Sequence, residues 1–278
     1  MESTVLGITH KKEIEEAQAR TPSLVSELNF TNLFVWRVPH THRVQCFKGH
    51  CLVSFVKEGK TCFYQPLGPD PASIITEMVG RDPTTVFCRV HRDIALQVPG
   101  VSYSADRDNF DYVYARGALV GLEGGPFESF RRHVRTFEKN RPTVRSLTEE
   151  TVSDCEVVQR YWCEEQQGCE DADMLALKEA ITHFSELSIG GVVVYVDSEP
   201  VAFAIGETIG KVMFVEHFEK SKPLRGAYQY VLHQLAKTLP ERVEYINREQ
   251  DLGIERLREA KLRSKPSYLI EKYTLWKG

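Results

Sequence analysis

The spacing of apolar residues divides the chain into two halves of different character. Between residues 30 and 122, short apolar runs alternate with Gly-, Pro-, Asp- and Lys-rich turns, which predicts a series of short strands. The predicted strands cover residues 33–36, 44–47, 51–55, 61–64, 85–90 and 111–114, with one helix at 72–79. This half therefore reads as a mostly β domain.

A basic amphipathic helix is predicted between the halves. Apolar residues recur at spacings of three and four and form one stripe: Phe127, Phe130, Val134 and Phe137. The other faces carry basic residues: Arg131, Arg132, His133, Arg135 and Lys139. Such a face suits the phosphates of a nucleic acid, and the alternative is an ordinary solvated helix face.

The second half alternates helices and strands more regularly. Two helices, 152–166 and 173–187, precede a hairpin at 191–205 whose apolar strands flank a short polar turn. A strand at 211–217, a helix at 225–239, a strand at 243–246, a helix at 254–261 and a strand at 267–273 follow. We therefore predict an N-terminal domain at 1–125, a connector helix at 126–142 and a C-terminal domain at 143–278.

Composition narrows the possible classes of protein. The chain has 278 residues, of which 42% are hydrophobic and 27% charged, with a net charge of −4, so a general affinity for nucleic acid is not expected. It shows neither an apolar stretch of about 18 residues nor a secretory leader, which predicts a cytoplasmic protein. Seven cysteines are then expected to be reduced. The His and Cys residues between 40 and 51 lack a paired C-x2-C motif, so no metal is predicted.

The candidate chemistry lies after the strand at 243–246. Polar residues leave this strand together and Gly253 permits a tight turn, at the edge of the sheet where α/β proteins bind ligands. Carboxylates there could recognise an ammonium group or act as a general base, and two basic residues three apart share one helix face. The predicted catalytic residues are Asn247, Glu249, Asp251, Arg258, Lys261 and His217. The alternative is a helix-capping cluster with solvated basic residues.

A second candidate is the turn before the helix at 225–239. Basic residues and a glycine at a helix N-terminus form an anion site, here Lys220, Lys222, Arg225, Gly226 and Ala227. The order of elements around it resembles the Gcn5-related N-acetyltransferase fold, in which this turn binds a pyrophosphate. That fold normally shows R/Q-x-x-G-x-G/A, and one glycine remains here. An ordinary loop is the alternative.

Several segments resemble one family, the C-terminal domain of phosphatidylglycerol lysyltransferases and its soluble relatives. They are the N-x-E-Q-D-L-G run at 247–253 and the segments 28–36, 127–137, 197–203 and 217–220. The resemblance implies an α/β fold with tandem Gcn5-related N-acetyltransferase-like domains (acyl-CoA N-acyltransferase type), mixed sheets flanked by helices. It also implies transfer of an aminoacyl group from aminoacyl-tRNA to a lipid or to a small amine or hydroxyl acceptor.

The resemblance assigns expected roles and partners. The carboxylates of Glu249 and Asp251 would recognise an ammonium group or act as base, and Arg258 and Lys261 would stabilise negative charge. The 220–227 turn would hold phosphate, and the connector residues Arg131, Arg132, Arg135 and Lys139 would bind tRNA. No cofactor and no transmembrane segment are expected, while peripheral membrane contact is compatible with a lipid acceptor. The alternatives are an acyl-CoA-dependent N-acyltransferase, using a coenzyme A thioester, and a non-catalytic Gcn5-like binding module.

Overall fold

The computed structural model describes residues 3–165 and 171–278. The helices are α1 (Lys11–Arg20), α2 (Phe30–Val35), α3 (Arg37–His40), α4 (Pro71–Arg81), α5 (Arg92–Ala95), α6 (Arg116–Gly121), α7 (Glu128–Glu138), α8 (Asp154–Glu165), α9 (Asp171–Thr182), α10 (Ala227–Thr238) and α11 (Glu255–Arg263). The strands are β1 (Thr4–Val5), β2 (Arg43–Phe47), β3 (His50–Lys57), β4 (Lys60–Tyr64), β5 (Val86–His91), β6 (Ser102–Ala105), β7 (Asp111–Ala115), β8 (Thr143–Ser146), β9 (Gly190–Val196), β10 (Glu199–Ile209), β11 (Met213–Ser221), β12 (Tyr245–Asn247), β13 (Tyr268–Ile270) and β14 (Lys272–Trp276). The predicted helix end at Gln166 lies outside the described residues.

The strands form two seven-stranded mixed sheets. The first has the order β1-β2-β3-β4-β5-β14-β6, and its β4–β5 pair is parallel while its other pairs are antiparallel. The second has the order β13-β7-β12-β11-β10-β9-β8, and its β11–β12 pair is parallel. Helices pack on both, so the predicted α/β class with mixed sheets flanked by helices is confirmed.

The two compact units are interleaved along the chain. The first contains residues 3–111, 250–254 and 269–278, and the second contains residues 112–165, 171–249 and 255–268. These units differ from the predicted linear division at residues 125 and 142. The strand β7 was expected to complete the first half but pairs with β12, and β14 inserts between β5 and β6. Strand pairing between segments far apart in sequence leaves no trace in local periodicity.

The core of the first unit is built around the inserted strand β14. Leu275 packs fully buried among residues of α4 and β5, including Ile75, Phe87 and Val90. Beside this apolar core, the buried Lys272 ammonium donates hydrogen bonds to Glu27, to Asp111 at 2.5 Å and to Ser26 at 3.3 Å. The C-terminal strand is therefore held by both apolar and charged contacts.

The predicted connector helix α7 belongs to the second unit. Its apolar stripe faces α10, where the rings of Phe137 and Tyr230 lie 4.9 Å apart. Gly226, which precedes α10, has φ of +89°. A Cβ there would overlap the carbonyl oxygen of His133 on α7, so only glycine allows this close approach.

Two predictions for the first unit were wrong. The predicted strand at 33–36 lies mostly in α2, whose first turn is capped by Asn29 through a 2.8 Å hydrogen bond from the Asn32 amide. A short, fully buried apolar run has no periodicity that distinguishes strand from helix. Cysteines were expected to be reduced, but Cys46 and Cys51 are directly opposite on β2 and β3 and form a disulfide.

Candidate active site

The candidate site of the second unit lies where β11 and β12 separate. These parallel strands are paired from Met213 and Tyr245 as far as Val215 and Asn247. Beyond that pair β11 continues along β10, and Arg248 instead donates its amide to Tyr112 on β7. Side chains cross the gap between the two backbones, which is the sheet edge where the sequence predicted chemistry.

A β-bulge at His217 determines which side chains line the gap. Gly206 of β10 pairs with Glu216 and Ile205 pairs with Phe218, so His217 is the extra residue. Adjacent residues of a regular strand point to opposite faces, so residues three apart, such as Glu216 and Glu219, would lie on different faces. The extra residue shifts this alternation by one and brings the two glutamates to the same face. The bulge thus creates one cluster around His217 and another around the two glutamates.

The first cluster is an imidazole between two carboxylates. His217 donates from Nδ1 to Glu249 at 2.9 Å and from Nε2 to Glu207 at 3.1 Å, and its side chain is only 1% exposed. Burial by itself would lower the pKa of His217, but the hydrogen bonds to both carboxylates outweigh it and raise the pKa to about 9. His217 is therefore protonated at neutral pH and holds Glu249 in place. Glu249 itself has a strained φ of +55°.

This raised pKa predicts a pH window for stability. Because the folded pKa of about 9 exceeds the unfolded value of 6.5, His217 contributes stability that is complete below pH 6.5 and is lost as pH rises through 9. We expect the free-energy difference between wild type and His217→Gln to fall by roughly 3 kcal/mol between pH 6 and 9.5. Urea unfolding across this range measures it, with His183→Gln as the control for losing a more exposed histidine. A difference that stays constant with pH would contradict the ion-paired imidazolium.

The second cluster contains a buried arginine between two glutamates. The Arg248 guanidinium donates to Glu216 at 2.5 Å and to Glu219, and these side chains are 3% and 8% exposed. Burial raises the pKa of Glu219 to about 8; Arg248 opposes this shift and Glu216 adds to it. The same two carboxylates hold the pKa of Arg248 well above its usual value against the effect of burial. Glu219 is therefore predominantly protonated at neutral pH.

Lys261 approaches the second cluster from α11. Its ammonium donates to the backbone carbonyl of Arg248 and lies 5.8 Å from the Tyr112 ring centre. Burial lowers the pKa of Lys261 to about 8, and Arg248 adds to this shift. The structure thus brings Lys261 to the gap, as the sequence predicted. Arg258 lies half-buried one turn earlier on the same helix.

The predicted run at 247–253 is divided between the units. Asn247 is fully buried in the second unit and accepts a 2.8 Å hydrogen bond from the amide of Glu249. Asp251 lies in the first unit, where it pairs with Arg107 at 3.1 Å and accepts from the Gly253 amide at 2.9 Å. Asp251 therefore shapes a turn of the first unit, while Glu249 joins His217 in the second.

The side chains of the predicted anion-binding turn contact other groups of the chain. Lys220 pairs with Asp173 at 2.8 Å and lies 3.9 Å from the Trp162 ring centre. Lys222 lies 4.0 Å from Glu199, and Arg225 is exposed. Gly226 contacts α7, and Ala227 is buried with its amide bonded to Leu224. These contacts disfavour binding of a pyrophosphate, which needs exposed backbone N–H groups at this turn.

The basic residues of α7 differ in exposure. Arg132, Arg135 and Lys139 are exposed on one side of the helix. Arg131 is half-buried and donates to the carbonyl oxygens of Leu122 and Gly124, so it holds the preceding loop. Three of the four residues predicted to contact tRNA are therefore exposed to solvent.

Sequence reasoning missed four residues of the gap: Glu207, Glu216, Glu219 and Arg248. Arg248 occupies an unassigned position inside the recognised run. The sequence of β11 did indicate the site, because this mostly apolar strand contains four ionisable residues, Glu216, His217, Glu219 and Lys220. No sequence pattern indicated Glu207, since it becomes a neighbour of His217 only when β10 pairs with β11.

Comparison with known families identifies the chain. The profile described as "Phosphatidylglycerol lysyltransferase, C-terminal" matches residues 18–276. The chain belongs to this family. The predicted family resemblance is therefore confirmed over nearly the whole chain, and the family is named for a transferase.

Several solved structures share this fold. A conserved protein of unknown function from Bacteroides thetaiotaomicron has a TM-score of 0.89 at 25% identity, with 99% of each chain covered. L-PGS from Bacillus licheniformis has a TM-score of 0.69 at 12% identity, covering 96% of this chain and 91% of that one. FemX has a TM-score of 0.63 at 9% identity, covering 100% and 98%. No curated protein sequence matched.

These similarities confirm the predicted fold class, tandem Gcn5-related N-acetyltransferase-like domains. Within residues 3–165 and 171–278, no helix is long and apolar enough to cross a membrane. The same residues contain no group of three or more His, Cys, Asp or Glu side chains arranged to hold a metal ion.

Proposed function

We propose that this protein transfers an aminoacyl group from aminoacyl-tRNA to a hydroxyl or amine of a lipid or small-molecule acceptor. The observation that carries the proposal is the charged gap between β11 and β12, where Glu249, His217, Arg248 and Lys261 converge. Family membership supports the reaction class, because the family is named for aminoacyl transfer to phosphatidylglycerol.

The chemistry suits a site without a covalent nucleophile. In the proposed reaction the acceptor oxygen or nitrogen attacks the ester carbonyl carbon, and the bond to the terminal ribose oxygen of tRNA then breaks. We assign Glu249 as the base that takes the acceptor proton and returns it to the leaving ribose oxygen. His217 cannot take this proton, since both ring nitrogens already donate to carboxylates. The reaction as proposed requires no cofactor.

Positive charge in the gap would stabilise the oxyanion. Lys261 has three N–H donors, and one donates to the carbonyl of Arg248. We assign its ammonium as the donor to the developing oxyanion, because a charged donor in a partly desolvated site acts strongly there. Arg248 acts as a positioning residue, since its guanidinium holds Glu216 and Glu219 while its backbone orients Lys261.

The exposed basic face of α7 is the proposed tRNA contact. Arg132, Arg135 and Lys139 are exposed and can offer positive charge to phosphates. Arg131 differs from them, because its guanidinium donates to backbone carbonyl oxygens of the preceding loop. A lipid acceptor would require contact with a membrane surface. The acyl-CoA alternative is disfavoured by the contacts of Lys220 and Gly226 described above.

A donor comparison tests the function. Purified protein is incubated with tRNA charged with labelled amino acids, or with labelled acetyl-coenzyme A, together with lipid extract and a panel of small amines. We expect label to move from tRNA to an acceptor and not from the thioester, because an aminoacyl ester is already activated and the turn at 220–227 is filled by its own side chains. Transfer from coenzyme A alone, or from neither donor, would reject the proposal.

A further inference from the structure

A tyrosine in the first turn of α10 exposes its ring while its hydroxyl is buried. Tyr228 is 40% exposed, yet its hydroxyl oxygen accepts hydrogen bonds from the indole N–H of Trp162 and from the Ser221 backbone. Burial of the hydroxyl raises the pKa of Tyr228 to about 12. A surface tyrosine normally turns its hydroxyl to water, so here the exposed area belongs to the apolar ring. Such a ring suits a flat partner that stacks on it.

A second exposed ring lies beside the turn that follows β11. Tyr161 on α8 is 38% exposed, and the Lys222 ammonium lies 5.3 Å from the centre of its ring. The ion pair of Lys222 with Glu199 is long, at 4.0 Å, and the Glu199 side chain is 73% exposed. A pair of this kind holds a lysine weakly, so the Lys222 ammonium can turn to a ligand. Arg225 in the same turn is exposed and adds a second positive charge.

The turn that carries these residues adjoins both the basic helix α7 and the gap. Gly226 packs against the backbone of His133, so the turn lies against α7. On the other side, Tyr228 is close enough to Glu219 for that carboxyl group to raise its pKa. A strand that leaves a duplex bound on α7 would therefore pass the exposed rings before its end reaches the gap.

This surface suits a single-stranded nucleic acid better than a membrane. Exposed aromatic rings beside lysine and arginine also occur where proteins lie on a lipid surface. Here the rings continue the basic face of α7, which carries charge without exposed rings of its own at Arg132, Arg135 and Lys139. Single strands use both contacts together, because their bases stack on aromatic rings while their phosphates meet cations. The donor of the proposed reaction carries its aminoacyl ester on such an unpaired end.

We propose that the rings of Tyr161 and Tyr228 stack on the unpaired bases at the 3′ end of the aminoacyl-tRNA. Lys222 and Arg225 contact the phosphates of the same nucleotides. The inference rests on the proposed function and adds how the end of the donor is recognised, as a single strand and without reading its bases. The rings are positioning groups, which set where the ester enters the gap and take no part in breaking its bond.

Binding of an uncharged RNA hairpin, one without an amino acid, tests the inference apart from transfer. The hairpin copies an acceptor stem with its unpaired 3′ overhang, whose last base is 2-aminopurine, and a blunt hairpin of the same stem is compared with it. We expect the overhang to raise the affinity, and the 2-aminopurine fluorescence to fall on binding because stacking quenches it. Tyr161→Ala and Tyr228→Ala should each lower the affinity for the overhang hairpin about fivefold or more, since stacking on one ring contributes this much. The affinity for the blunt hairpin should stay within about twofold of wild type.

Conservative and matched variants separate stacking from folding. Tyr161→Phe and Tyr228→Phe keep the ring and should bind the overhang hairpin like wild type, with circular dichroism as the check that each variant folds. Tyr268→Ala is the matched control, because Tyr268 is 39% exposed on β13 of the same unit, and it should leave both affinities unchanged. Arg225→Gln should reduce the salt dependence, the slope of log affinity against log salt, by about 0.7, the value of one phosphate contact on a single strand.

The outcomes distinguish this inference from its alternatives. Equal affinity of wild type for the overhang and blunt hairpins overturns it, as does wild-type affinity for the overhang in both alanine variants. Vesicles of anionic phospholipid are the second arm: vesicle binding that both alanine variants lose while they keep RNA affinity assigns the rings to a membrane surface and overturns the inference. Transfer from aminoacyl-tRNA is measured separately on the same samples. Transfer together with unchanged RNA binding in the alanine variants rejects this inference alone, whereas the expected RNA binding without transfer by wild type rejects the proposed function alone.

Discussion

Replacing Lys272 by methionine is expected to destabilise the protein by about 3–5 kcal/mol, because it leaves buried carboxylates without their counter-charge. Lys272 is fully buried and contacts Glu27 and Asp111, of which the second is also fully buried. Methionine keeps most of the apolar stem but none of the charge. Arg89 also pairs with Glu27, at 3.0 Å, and with Asp106, so Glu27 keeps a cation in the variant while Asp111 loses the ammonium that lies 2.5 Å from its Oδ1.

Urea unfolding measures this effect, and Lys277→Met provides the matched control. Lys277 is exposed and directly follows β14, so its replacement should change the free energy of unfolding by less than about 0.5 kcal/mol. Equal stabilities for the two variants would show that the buried network does not hold β14 in the first sheet. A partial loss confined to one unfolding transition would locate the effect in the first unit.

Replacing Glu249 by glutamine is expected to lower the rate of aminoacyl transfer about 10²–10⁴-fold, because the proposed base is lost. Glutamine keeps the length of the side chain, and its carbonyl oxygen can still accept from His217 Nδ1, which donates to Glu249 at 2.9 Å. The fold should therefore be retained. The loss should appear in kcat rather than KM, since the base acts in the transition state.

The measurement is transfer of labelled amino acid at saturating aminoacyl-tRNA, with Glu244→Gln as a control for the charge change. Glu244 is exposed and precedes β12, so its replacement should leave the rate within about twofold of wild type. Full activity in Glu249→Gln would remove Glu249 from the mechanism. A rise in KM alone would make it a binding residue instead.

Local pattern predicted the second unit well because its elements are long and periodic. The hairpin predicted at 191–205 corresponds to β9 and β10, and the helix predicted at 225–239 corresponds to α10. Both carry strong local preferences, a polar turn between apolar runs in one and a four-residue apolar repeat in the other. The closing strand predicted at 267–273 was less accurate, since it is two strands that belong to different sheets.

The sequence by itself determined the family, the α/β class and the charged run that follows β12, because these depend on residues adjacent along the chain. The tertiary structure decided which charges meet. Lys272 and Glu27 are 245 positions apart, and Glu249 and His217 are 32 apart. Tertiary contacts also decided that His217 is a bulge residue and that Glu219 is buried with a raised pKa. Burial and pairing arise from packing between distant segments, and they decide that Glu249 meets His217 and that Glu216 and Glu219 meet Arg248.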